Sequence, residues 1–249
     1  RAGVGISYTP WLRKLVNDIN LANVAGFYRI GDYSAVSASL RFFSLGEVFL
    51  SDMEDMTINP YEFAIDAGYS RMLSERFSMA VNMRFIFSDI RYDYTAESSA
   101  GKAFAADIAM YRLGYFMMGS RECSFAWGLN INNIGSKISY GGDDNAEFIP
   151  TNLRLGLNMT VPFNEYNKFS VAVDANKLLV PTYPKQDTEN GETDNDYTDR
   201  VQKDYYDVSP IAGIFKSFYD APNGFKEEMQ EIQWSVGCEY TYNDRFMLR

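Results

Sequence analysis

The 249 residues contain no histidine. Within them, that rules out a Ser-His-Asp or Cys-His nucleophile pair and any metal site built on imidazole. Catalysis by carboxylates, Tyr, Ser-Lys or Cys is left open. Cysteine is scarce: Cys123 and Cys238 stand alone, with no CxxC spacing, and two thiols do not make a disulfide framework. No run of about 18 apolar residues occurs, so no helix is expected to cross a membrane, and no signal-peptide pattern is visible. Positive charge is in deficit. Lys and Arg number 23 against 33 Asp and Glu, a net charge of −10, and no basic cluster reverses it, which argues against a nucleic-acid partner. No pattern points to a metal or another cofactor.

Aromatic rings are plentiful, with 18 Tyr, 18 Phe and 3 Trp. Period-two alternation dominates the chain, and in a strand it separates two faces. Over 77–88, Phe77, Met79, Val81, Met83, Phe85 and Phe87 share one face. Ser78, Ala80, Asn82, Arg84, Ile86 and Ser88 share the other. Segments 35–44, 61–72, 124–132, 152–161 and 232–242 repeat the design; 19–30, 103–117 and 168–176 have ambiguous facing. The polar face holds Gly, Ser, Asn and single charges rather than the Lys, Glu and Thr of a soluble sandwich. Several segments reach the length that a tilted strand needs to cross a bilayer.

Short links near 31–34, 74–76, 119–122, 163–167 and 243–245 alternate with long ones near 10–18, 45–60, 89–102, 133–150 and 177–231. Short turns on one side and long loops on the other are the habit of outer-membrane barrels. The expected fold is therefore all-β: a transmembrane antiparallel up-and-down β-barrel, with about ten strands here and short helices in the extracellular loops. The chain opens inside a strand-like run, Gly3 to Tyr8, and stops at Phe246 to Arg249 as another begins. It is expected to be one barrel domain over 1–249, truncated at both ends.

Charges inside strand segments, Arg41, Asp66, Arg84, Asp107, Arg154 and Asp174, are expected to line the lumen, because a charge on the lipid face costs about 2–4 kcal/mol for Arg at mid-bilayer. If the 74–76 turn is a three-residue loop, Asp66 faces Arg84 across adjacent strands. Cys123 and Cys238 share parity with aromatics and are expected to face lipid. Trp11, Leu12 and Leu15 put apolar groups into a long link, either as a loop folded over the barrel rim or as a partner contact. The acidic run 185–207 reads as a solvated segment, with Ca²⁺ binding the lesser alternative because the EF-hand spacing is missing. Over 208–231 two short helices are expected, with Ile211, Phe215 and Phe218 at helical spacing and Phe225 opening the second. They serve as a packing lid or as a docking surface.

Several blocks carry a resemblance. Gly3-Val4-Gly5-Ile6-Ser7-Tyr8-Thr9-Pro10-Trp11-Leu12 resembles the PorV (also LptO) family of Bacteroidetes. So do the run Leu129 to Tyr140, the run Phe148 to Gly156, and Asp220 to Glu228 followed by Glu239-Tyr240. The resemblance implies a FadL-like barrel of fourteen strands in the full-length protein and a part in the type IX secretion system. It implies that secreted cargo is bound by its C-terminal signal domain and passed from the translocon to a cell-surface attachment complex with a sortase-like subunit, where it meets lipopolysaccharide. The alternatives are a FadL-type channel for hydrophobic molecules and a lipid A O-deacylase. A chain without histidine favours the non-enzymatic role.

Overall fold

A computed structural model describes residues 1–11, 13, 18–49, 57–90, 99–141, 146–186, 192–222 and 224–249. Ten long strands form one antiparallel meander: β1 (Ala2–Pro10), β2 (Ile19–Ile30), β3 (Ser34–Leu45), β6 (Tyr61–Ser74), β7 (Phe77–Asp89), β8 (Gly101–Met118), β9 (Arg121–Gly135), β10 (Asn152–Pro162), β11 (Asn167–Leu178) and β12 (Gln233–Tyr242). A short β13 (Phe246–Leu248) adds to β12, and a two-residue pair, β4 (Val48–Phe49) with β5 (Thr57–Ile58), sits in the β3–β6 link. Apart from that inserted pair, every strand lies beside its sequence neighbours, with β1 and β13 as the sheet's edges. No described helix is long and apolar enough to cross a membrane.

Link lengths alternate as expected. The short ones are local turn chemistry. Gly119-Ser120 joins β8 to β9 with Gly119 at φ +65°, the backbone that lets a two-residue loop follow the strand twist. Asn243 and Asp244 both take φ +51° before β13, a region these two residues tolerate better than most. The β6–β7 turn is Glu75-Arg76, one residue tighter than expected, and a bulge between Met72 and Ser74 takes up the slack. Asp66 still pairs with Arg84.

The register extends the alternation across all strands. One face carries Val4, Ile6, Val24, Leu40, Ile65, Met83, Phe104, Leu155 and Val236. Apolar groups there are open: Met83 is 68% exposed and Val236 75%. The opposite, polar face is the covered one, with Asp66 only 6% exposed. This inverts the usual soluble pattern, in which apolar groups are inside. On the apolar face, stacked or tilted rings of Phe42, Tyr61, Phe87, Phe63, Phe85 and Phe104 run across β3, β6, β7 and β8 near the long-link end. Phe77 with Trp127, and Phe163 with Phe169, lie near the short-turn end.

Both cysteines lie on the apolar face by register, Cys123 opposite Phe116 and Cys238 opposite Val171; Cys238 is exposed and Cys123 is wholly buried. One expectation needs correction. The acidic run is not simply solvated. It contains α1 (Asp194–Val201) and a π-helical turn (Gln202–Tyr206), ahead of the expected pair α2 (Pro210–Lys216) and α3 (Phe225–Gln230). Thr193 caps α1 by accepting from the Asp196 N–H, and Asp194 and Asp196 favour the positive end of the helix. Arg200 then ties α1 to Glu192 through two hydrogen bonds of 2.7 and 2.8 Å.

Candidate functional site

The polar face gathers its charges at one place. Arg84 on β7 donates to Asp66 on β6 at 2.6 Å, to Asp107 on β8 at 3.1 Å and to the Asn133 side-chain oxygen on β9. Asn82 donates to both carboxylates, and Ser39 on β3 donates to Asp66 at 2.8 Å. Five strands are thus cross-linked by one cation, two anions and neutral donors, so every buried charge has a partner. Arg41, Arg154 and Asp174 lie on the same face by register, but apart from the cluster. Arg41 is exposed, and Arg154 instead donates to Asn176 at 2.7 Å.

Asn133 links this cluster to the long-link end. It adopts φ +57° where the β8–β9 register shifts, so the chain gains a residue on the polar side. Its N–H donates to Asp107 at 2.8 Å, its side-chain amide donates to the Pro150 carbonyl at 3.0 Å, and its own carbonyl accepts from Thr151 at 2.7 Å. The link between β9 and β10 is thereby folded back over the polar face. Ile149 packs on Ala103 and Ala105 of β8, with Ile86 and Ile138 around them. Tyr140 donates to Ser88, which donates to Glu62, tying the link to β7 and β6.

The helices of the β11–β12 link are pinned onto this frame. Lys137 donates to the Tyr205 and Tyr206 carbonyls at 3.1 and 2.7 Å and lies 4.0 Å from the Phe148 ring centre. Both tyrosine hydroxyls donate to Glu147. Burial pushes these hydroxyls up, Tyr206 to about 12, and Glu147 adds to the effect. Desolvation lowers the Lys137 ammonium, with Glu147 and Asp207 opposing. At the far side Lys177 donates to Glu228 at 2.8 Å and Glu231 at 2.7 Å, and Glu228 accepts from the Ala221 N–H. Thr182 donates its N–H to Asp220 at 2.7 Å.

Burial works to raise the Glu228 carboxyl, but hydrogen bonds from Lys177 and the Ala221 N–H outweigh it and hold the carboxyl below its ordinary range. A depressed carboxylate contributes stability above its unfolded-state value and loses it as pH falls through the folded one. Proteolysis of the 179–232 link should therefore stay constant down to about pH 4.5 and rise below it. Lys177→Met should give the open, protease-sensitive link even at pH 7, because Glu228 would be left buried without its cation. A Lys177→Met protein as resistant as its parent would contradict the staple.

The residues expected to meet a partner have mixed placements. Trp11 is exposed just beyond β1, and Ile211, Phe215, Phe218 and Phe225 are exposed on α2, α3 and the segment between. Leu12 and Leu15 lie outside the described residues. What the sequence reading did not assign is the Asn133 hub, Lys137 and Lys177. The first had a signal, the Asn132-Asn133 doublet at the end of a strand, since Asn is enriched where φ is positive.

The family model for type IX secretion system protein PorV matches residues 1–185. The match takes in the first three motif blocks and the Asn133 hub, and ends before Asp220 to Glu228. No curated protein matches the chain. A match over well over half of the residues, through the segments that build the covered polar face, makes this chain a member of the PorV family, a component of the type IX secretion system.

Proposed function

We propose that residues 1–249 are one domain of an outer-membrane β-barrel that receives secreted cargo by its C-terminal signal domain and hands it from the translocon to the attachment complex. The observation that carries the reading is the inverted sheet: an open apolar face bounded by ring belts at both strand ends, backing a covered face with buried ions. In water that arrangement exposes its greasiest surface; in lipid it is the stable one, with aromatics at the two interfaces. An open edge is untenable in hydrocarbon, so in the membrane the β1 and β13 edges are paired in a closed barrel. Arg41, Asp66, Arg84, Asp107, Arg154 and Asp174 then line the lumen, and the long links stand at the cell surface, near lipopolysaccharide.

The role is non-enzymatic. The work is done at the long-link end, where Trp11, Ile211, Phe215, Phe218 and Phe225 offer apolar contacts. A channel for hydrophobic molecules fits less well, because the enclosed face is polar and the β9–β10 link lies across it. The test is affinity purification of the full-length protein from detergent-solubilised outer membranes. Secreted proteins sharing the signal domain, together with translocon or attachment-complex subunits, should co-purify. A barrel that comes out alone, or with lipid only, would refute the shuttle.

A further inference from the structure

Resting on that reading, the helical β11–β12 link suggests the chemistry of the face it meets. We infer that α2, α3 and Phe218 just after α2 form the docking surface for the signal domain, and that the signal-domain face seated there is cationic with apolar side chains at its centre.

The apolar half of the argument is exposure on a pinned scaffold. Ile211 and Phe215 are one helical turn apart on α2, 64% and 65% exposed, and Phe225 on α3 is 79% exposed. These helices are held rigidly. Gly213 on the other side of α2 packs against Phe148 and Pro181, Ser209 caps α2, and Glu228 anchors α3 to Lys177. An apolar surface presented on a fixed scaffold costs little ordering on binding, which is the property of a preorganised contact surface. Had the rings served only to hold the link down, they would be enclosed, as Tyr205 is, edge-on to Phe148.

The charge half selects the occupant. Residues 179–232 hold twelve carboxylates and five Lys or Arg, a net charge of −7 out of −10 for the whole chain. Arg200 pairs with Glu192 and Lys216 donates to the Asp204 carbonyl, while Lys185, Lys203 and Lys226 are exposed and leave the excess negative. Asp194, Asp196, Asp199 and Asp207 remain exposed. A field of that sign attracts a basic protein face and repels the anionic phosphates of an outer-leaflet lipid surface. The rings are thus placed for a protein, not for dipping into lipid.

The test uses the full-length protein in neutral-lipid nanodiscs and a purified cargo signal domain as probe, with binding followed by biolayer interferometry. Affinity should fall about tenfold or more between roughly 50 and 300 mM salt, as screening shortens the reach of the field. Ile211→Ser with Phe215→Ser should weaken binding at every salt concentration. Asp194→Lys with Asp196→Lys and Asp199→Lys should weaken it at low salt only. Heat-modifiable migration on gels verifies that each variant forms its barrel, and unchanged protease resistance of the 179–232 link verifies that α1 survives the loss of Asp194 and Asp196 from its first turn. Binding that ignores both the salt and the substitutions overturns this docking surface and leaves the shuttle standing. No binding of the signal domain at low salt overturns both. Stronger retention on anionic vesicles than on the signal domain overturns the choice of a cationic protein face.

Discussion

Replacing Arg84 by methionine is expected to destabilise the folded protein by about 3–5 kcal/mol, read as a lowered urea midpoint in lipid vesicles. An exposed ion pair is worth about 0–1 kcal/mol, so burial decides the size. The Arg84 and Asp107 side chains are 16% exposed and that of Asp66 9%. Without the guanidinium, two carboxylates remain enclosed with no cation, bridged by the Asn82 amide, with the Ser39 hydroxyl on Asp66 and the Asn133 N–H on Asp107. Removing the charges as well, with Asp66→Asn and Asp107→Asn in the same protein, should restore most of the loss. The penalty arises from uncompensated ions more than from lost packing. If Arg84→Met behaves like its parent, the cluster is solvated in the membrane protein and the covered-face picture is wrong.

Gly135→Val should be nearly as damaging, at about 3 kcal/mol or more. A Cβ at Gly135 would fall against the Phe104 carbonyl oxygen, 2.7 Å from the Ala105 Cα and 2.9 Å from the Ile149 side chain. Two of the three are backbone or immovable without opening the β8–β9 ladder. The same place is stitched by Ser136, whose N–H donates to the Phe104 carbonyl and whose hydroxyl accepts from the Phe104 N–H. The expected phenotype is loss of the heat-modifiable form, with the β9–β10 link becoming accessible to protease. Wild-type migration together with a protected link would show that the strands part easily here.

The strands were legible because their signal is local. Alternation in 77–88 needs nothing but the pleat, and the structure extends that segment only by Asp89. The Asp66–Arg84 pairing was legible for the same reason, since a tight turn fixes the register on either side of it. The rest of the cluster was not. Asp107 reaches Arg84 by way of β8, and Asn133 by way of a bulge that no spacing announces. α1 was hidden by its composition: Asp and Asn weaken a helix in its interior, whereas here Asp194 and Asp196 stand in its first turn. Lys177 drew no assignment because both its acids, Glu228 and Glu231, come from more than fifty residues later in the chain.

The neighbour-only order of the meander also sets the order of assembly. Each strand from β1 to β11 finds its partner across a link of at most a few turns, so chain closure costs little entropy and local pairings can form early. The 54 residues between Leu178 and Gln233 are the exception. Closure entropy grows by about 0.6 kcal/mol per doubling of loop length. β12 is therefore expected to join late, after the Lys177 and Lys137 staples have shortened the effective loop. The contacts that pin the helices onto the sheet would then act kinetically as a splint, bringing β12 within reach of β11.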